Sequence, residues 1–171
     1  LALGGYDSSK TMEQIIRRKN VNNEALAVLA LGFQQLGMHN RAETTLQRLF
    51  RHAIVSGDTH WAGISNWAGG DLEATALALQ ALLRIRPDDD RAYGIVRWLM
   101  SQRFDNYWMS TRGTAFTLYA MSEFLGRTKE LTPDYDAVIS INGKQIRKLH
   151  FDKASIFDPQ VNITIPGRDL R

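Results

Sequence analysis

Residues Trp67 to Leu83 read WAGGDLEATALALQALL, and this stretch decides the fold. Gly69 and Gly70 break the structure before them, and Asp71 stands where a side chain can cap the first free amides of a helix. Glu73 falls in the first turn, where a carboxylate interacts favourably with the helix dipole. After it, Ala74, Ala76, Leu77, Ala78, Leu79, Ala81, Leu82 and Leu83 leave almost no polar face. A helix in water that is apolar nearly all round has to be enclosed by others. The segment therefore predicts a helical domain of more than one layer, with this helix inside it.

The segments before it carry weaker versions of the same signal. A short helix from about residue 10 places Met12, Ile15 and Ile16 on one face and Arg17, Arg18 and Lys19 at its end. Asn22 or Asn23 starts a stronger one through Leu26, Leu29, Ala30, Phe33 and Leu36, stopped by Gly37. Ala25, Ala27, Val28 and Leu31 make it apolar on most sides too. Asn40 followed by Glu43 resembles a capping box. It opens an amphipathic helix with Leu46, Leu49, Phe50, Ala53 and Ile54 on one stripe and Arg41, Gln47, Arg48 and Arg51 elsewhere.

Beyond the opening segment the alternation continues. The enclosed helix ends near Pro87, and Asp89 or Asp90 starts an amphipathic one through Ala92, Ile95, Val96, Leu99 and Met100. A last helix follows Ser110 or Thr111, with Ala115, Leu118, Tyr119, Met121, Phe124 and Leu125, and ends at Gly126. Enclosed and amphipathic helices thus alternate with a period of roughly 40–50 residues, the pattern of a double-layered α/α toroid or an α-solenoid. A four-helix bundle would show one stripe width throughout.

After Thr132-Pro133 the period changes to two. Ala137, Ile139 and Ile141 alternate with Val138, Ser140 and Asn142, and Asn142-Gly143 is a hairpin turn signal. Gln145 to Phe151 returns with Ile146, Leu149 and Phe151, and Val161 to Ile165 reads as a third strand. Three strands make a weak domain alone, so they read as the start of a β-sandwich. The expectation is a mainly α chain: residues 1–130 a partial α/α toroid, residues 131–171 the first antiparallel strands of a sandwich.

Composition narrows the function classes. The 171 residues are 44% hydrophobic and 23% charged, as in an ordinary globular protein. The 21 Lys and Arg against 18 Asp and Glu form no stripe or tail, so no nucleic-acid partner is expected. No apolar run reaches the roughly 20 residues that span a bilayer. With no cysteine there are no disulfides, thiolate nucleophiles or Cys-based metal sites. The chain opens at Leu1 with nothing that reads as a signal peptide and closes on GRDLR. Both ends are expected to be cut from something longer.

Three segments in order, GDLEATALALQALL, AYGIVRWLMSQR and YWMSTRGTAFTLYAMSEFL, resemble the thioester domain of the alpha-2-macroglobulin and complement family, most nearly its bacterial type. In that family an inner helix begins with an acidic turn followed by Glu, a small residue and Thr. The next helix ends in Trp-Leu with Gln-Arg shortly after, matched by Trp98, Leu99, Gln102 and Arg103. An aromatic then precedes a Ser-Thr helix start, matched by Trp108, Ser110 and Thr111, and the His60-Trp61 pair occurs in some members. The strand region after Pro133 matches in position the return of the chain into a CUB-like β-sandwich. The resemblance covers roughly residues 21 to 165 and rests on the joint order of these pieces. It departs at Arg112-Gly113, where members usually have Gln-Asp. The Cys-Gly-Glu-Gln thioester motif is absent, and none of His39, His52, His60 or His150 stands where the family's assisting histidine does.

Six residues are candidates for a cleft or interaction role: His60, Trp61, Trp67, Glu73, Trp108 and Arg112. All but Arg112 have a plainer reading. His60 reads better as a half-buried loop histidine, and Glu73 needs only its first-turn position to explain it. Trp61, Trp67, Trp98 and Trp108 lie at loop and helix ends, where they fill the rims of a core; an exposed tryptophan cluster would instead mark a partner surface. His39 and His52 read as solvated or stacked. The four histidines show no i, i+4 pairing, so no metal is expected. Asp88-Asp89-Asp90 resembles a metal-binding acidic run but reads better as a loop and helix cap. Phosphate-cradling glycine motifs are absent, since neither Gly4-Gly5 nor Gly69-Gly70 is followed by Lys-Ser or Lys-Thr.

The resemblance implies a non-enzymatic fragment of an alpha-2-macroglobulin-like endopeptidase inhibitor, a protease trap. It implies no cofactor, an extracellular or periplasmic (cell-envelope) setting, and protein partners: target endopeptidases through the parent, and the parent's neighbouring domains. The alternative is an α/α-toroid enzyme of the terpene cyclase or prenyltransferase type, which needs an acidic proton donor or metal site and aromatic walls. A stand-alone helical-repeat binding module is the third expectation.

Overall fold

Asn22 opens the first long helix as an N-cap, its side-chain oxygen accepting the Ala25 N–H at 2.8 Å. In the computed structural model, residues 8–64, 70–105, 107–128, 132–155 and 164 are described. They form α1 (Ser9–Ile16), α2 (Asn23–Gln35), α3 (His39–Phe50), β1 (Ile54–Ser56), β2 (Asp58–His60), α4 (Gly70–Ile85), α5 (Arg91–Ser101), α6 (Thr111–Thr128), β3 (Tyr135–Ile141) and β4 (Lys144–Phe151). The protein is mainly α-helical with a few short antiparallel strands. No described helix is long and apolar enough to cross a membrane. The chain divides into two compact units, Leu1–Phe124 and Leu125–Arg171.

In the first unit, side-chain bridges fix the helix directions. Gln34 at the end of α2 donates from Nε2 to the Arg84 carbonyl near the end of α4 (3.2 Å). At the opposite ends, Glu24 of α2 accepts the Ile64 N–H at 2.7 Å, and the adjacent Gly63 N–H goes to Asp71 of α4 at 2.8 Å. Arg112 at the start of α6 bonds Glu73 at the start of α4, and Glu123 far along α6 accepts from Arg84 Nε at 3.0 Å. So α2, α4 and α6 run the same way. The return helices run against them. Glu43 near the start of α3 pairs with Arg86 just past the end of α4, and Leu99 late in α5 receives the indole N–H of Trp108, just before α6.

The core sits where these directions meet. Leu26, Phe33, Leu46, Leu49, Leu79, Leu82, Ile95 and Leu99 are fully buried. Helix α4 buries twelve of its sixteen residues and α3 only four of twelve, the contrast between an enclosed and an amphipathic helix.

Local readings differ from the structure in five places. Helix α3 begins at His39, so Asn40 already lies in the first turn and caps nothing; Glu43 instead accepts from Gln47 and Arg86. The same helix stops at Phe50, and Ile54 leaves its stripe to form an exposed hairpin strand with β2, turning at Gly57 (φ 77°). Asp71 is the second residue of α4 and spends its carboxylate on Gly63. Asp90 occupies the cap position of α5 without a side-chain bond, and Asp89 takes the Arg91 N–H at 3.1 Å. Finally, α6 buries Gly113, Thr117, Ala120 and Phe124, while Leu118 and Tyr119 are 56% and 72% exposed and Ala115 is exposed as well. The small residues win because they allow a close approach: a Cβ on Gly113 would lie 3.5 Å from the Leu72 side chain.

In the second unit, Asn142 (φ 50°) and Gly143 (φ 78°) make the β3–β4 turn with both central residues left-handed, as a tight hairpin requires. Ala137 faces Leu149 and Tyr135 faces Phe151 across the pair, the two rings stacking at 5.4 Å. A register shift after Ile139 leaves Ile146 as an extra, unpaired residue between Gln145, which faces Ser140, and Arg147, which faces Ile139. The strand read at Val161–Ile165 lies outside the described residues apart from Thr164.

Candidate functional site

The starts of α2, α4 and α6 bring Glu24, Asp71, Glu73 and Arg112 to one end of the helical unit. Asp71 and Glu73 belong there because helix starts favour carboxylates. Glu73 is nearly buried, with 10% of its side chain exposed, and its two oxygens take Nε (2.7 Å) and Nη2 of Arg112 in a bidentate fork. Arg112 leaves 75% of its own side chain in solvent. The Glu73 carboxylate, with Glu24 further off, pushes the guanidinium pKa above its ordinary value. Two of the six candidate residues are therefore partners of each other.

The segment from Trp61 to Ile64 is stitched between the helices at the same end. Asn23 donates to the Ala62 carbonyl at 2.8 Å and pairs with His52 Nδ1 at 3.0 Å, while Gly63 and Ile64 donate to Asp71 and Glu24. A Cβ on Gly63 would strike the Gly70 backbone, so this crossing accepts only glycine there. Glu24 and Asn23 are site residues that periodicity does not single out. Their only sequence signal is the Asn-Asn-Glu run at a helix start, which also has a capping explanation.

The other candidates serve the core. Trp61 is wholly buried, donates from Nε1 to the Leu49 carbonyl at 2.8 Å and meets the Phe50 ring edge-on at 5.0 Å. Its backbone N–H goes to the buried Thr75 hydroxyl at 3.0 Å. Trp108 is 5% exposed and donates to the Leu99 carbonyl at 2.7 Å. Neither indole is open to a cleft or partner, because each ring packs inside and its one N–H is taken. His60 stacks on Trp98 with centroids 4.6 Å apart and planes within 3°, half-buried. Trp67 lies outside the described residues.

What the arrangement can do chemically is limited. Ser110 is not poised as a nucleophile: its Oγ accepts the Gly113 N–H at 2.9 Å as a helix cap. His39 pairs with Gln34, His52 with Asn23, and His150 with Asp136, each at 3.0 Å and each in a different place. Among the described residues no group of three or more His, Asp or Glu could hold a metal ion. Of the aspartate run, Asp89 is bonded to Arg91 at 2.5 Å, which holds its carboxyl below the usual range. The carboxylates and guanidinium at the helix starts order the ends of three helices.

No protein family matches the chain, and no curated protein matches its sequence. Fold and site together define a mainly α-helical protein with short antiparallel strands, in which a cluster of carboxylates and one guanidinium joins the starts of three like-directed helices.

Proposed function

We propose that this chain is the C-terminal part of a thioester-type α/α toroid running into the first strands of a CUB-like sandwich. It belongs on this reading to an alpha-2-macroglobulin-like protein that traps endopeptidases outside the cytoplasm. The observation that supports it most is the shared direction of α2, α4 and α6, with α4 and α6 joined at their starts by Glu73–Arg112 and further along by Arg84–Glu123, and α2 joined to the end of α4 by Gln34. An inner ring of like-directed helices with return helices outside is what a double-layered toroid needs. Arg112 departs from the family pattern, standing where members usually have Gln, and here it pairs with the Glu of the neighbouring helix.

On this proposal the helices supply rigid walls and part of an inter-domain surface, and the module turns over no substrate. The covalent chemistry, where the parent has any, lies in a different stretch of the parent. The test uses the full-length parent mixed with an endopeptidase. A trap leaves cleavage of a small peptide substrate intact while cleavage of a large protein substrate stops, because the caged enzyme is reached only by small molecules. Loss of both, or of neither, overturns the proposal. A labelled methylamine, incorporated only by a parent with a thioester, then separates a covalent trap from a non-covalent one.

A further inference from the structure

The basic residues are dispersed in sequence, yet folding gathers arginines around α3 into two adjoining cavities. One, of about 290 Å³ at the end of α3, is lined by Leu46, Gln47, Phe50, Arg51, Arg86 and Arg91. The other, of about 230 Å³ between α1 and α3, includes Arg17, Arg41, Arg48 and Arg51. Arg51 lines both.

Most of these guanidiniums are committed. Arg48 donates to the carbonyls of Ile16, Arg18 and Lys19 at 2.7, 3.0 and 3.0 Å, and Arg41 pairs with Glu13 at 2.7 Å. Arg86 is held by Glu43, and Arg91 by Asp89. Arg91 also lies over the Phe50 ring, 4.1 Å from its centroid, which fixes where its remaining N–H groups stand. Arg51 differs, as does Arg17 in the second cavity: among the described residues neither a carboxylate nor a carbonyl holds its guanidinium, and of the two only Arg51 lines the first cavity. The first cavity thus sets three guanidiniums against two carboxylates, with one complete guanidinium fork unengaged.

We propose that the cavity at the end of α3 binds a phosphate group, with Arg51 as its principal ligand. Arg91, Gln47 and Phe50 line the same cavity. A guanidinium presents parallel N–H donors whose spacing matches two oxygens of a tetrahedral oxyanion, which a lysine cannot do. The last carbonyls of α3 carry negative partial charge and oppose an anion there, so the attraction has to come from the arginines. That makes the site sensitive to the loss of one. The phosphate has two sources with one chemistry, the free ion or a lipid headgroup.

The experiment titrates the whole chain with inorganic phosphate and follows the arginine Nε–Hε signals by NMR, with chloride at equal ionic strength as the reference. Saturable shifts with phosphate alone are expected. Arg51→Gln, an exposed substitution that leaves the core untouched, should weaken binding by about tenfold, the value of one lost charge-assisted contact. Arg103→Gln, the same charge change past the end of α5, should leave it unaltered. Vesicles of phosphatidylglycerol that bind the chain and release it to free phosphate identify the headgroup as the source. Phosphate binding without vesicle binding identifies the free ion. Equal responses to chloride and phosphate, or undiminished binding in Arg51→Gln, overturn the proposal.

Discussion

Helices α4 and α6 run the same way, start side by side and are both rich in apolar residues, yet they end in opposite situations. α4 buries twelve of its sixteen residues and α6 four of its eighteen. The difference lies in their surroundings: α2, α3 and α5 all pack on α4. Helix α6 meets α4 at Gly113, beside Leu72, and buries the small residues Thr117 and Ala120 further along, with Leu118 and Tyr119 turned outward. Apolar content therefore says that a helix can be enclosed, and its neighbours decide whether it is.

The contrast is broken most forcefully by truncating one leucine on each helix. Leu82 is fully buried in α4, and Leu82→Ala should cost about 2–5 kcal/mol through lost burial and a residual cavity. Leu118→Ala on α6 removes a side chain already in solvent and should stay within about 0.5 kcal/mol. Urea unfolding followed by circular dichroism reads both. Comparable costs at the two sites would mean that something covers the outer face of α6 in solution.

The glycines of α6 sharpen the comparison within a single helix. A Cβ at Gly113 meets Ser110 Oγ at 2.9 Å and Leu72 at 3.5 Å, so Gly113→Val should push α6 off α4 at a cost of about 1–3 kcal/mol. Gly126 has nothing within 4 Å, and Gly126→Ala should instead stabilise by up to about 1 kcal/mol through better helix propensity. The same unfolding curves show both signs, and a destabilising Gly126→Ala would count against open space there.

Much of this contrast is legible in the sequence, and the part that is not has a physical reason. Enclosure of α4 follows from its lack of a polar face, the start of α2 at Asn22 or Asn23 from the asparagine pair, and the β3–β4 turn from Asn142-Gly143. The face of α6 was not legible, because two stripes compete on it and the bulkier one, with Leu118 and Tyr119, lost to the one that permits close approach. The β1–β2 hairpin hid inside an apparent helical stripe: Ile54 keeps the helical spacing, and only Ser56-Gly57-Asp58 betrays the turn. Of the site, Glu73 and Arg112 could be named separately, but residues 39 apart gave no sign that they meet.

A smaller effect is expected at that seam between the two helices. Removing the arginine by Arg112→Gln leaves a nearly buried carboxylate without its partner, whereas Glu73→Gln removes the charge that needed one. Thermal unfolding at neutral pH should therefore show the larger fall in Tm for Arg112→Gln. Equal falls would show that the bridge is an ordinary exposed pair and does not hold α6 to α4.

The smallest effect concerns the flank of α4 that α3 covers. Arg86, just past α4, bonds Glu43 of α3 and holds its carboxyl below the usual range; Gln47 adds to this and partial burial works against it. A carboxylate with a depressed folded-state pKa contributes stability that is complete above its unfolded value and vanishes as pH falls through the folded one. The seam should therefore weaken only on acidification below about pH 4.3, the ordinary glutamate value. Both partners are about one-third exposed, at 35% and 34%, so the contribution should not exceed about 1 kcal/mol. Asp89, lowered by Arg91, titrates in the same direction, and the difference between the wild-type and Glu43→Gln stability profiles isolates the Glu43 share. If the two profiles run parallel from neutral pH into the acid limb, the bridge contributes nothing and apolar packing alone holds α3 against α4.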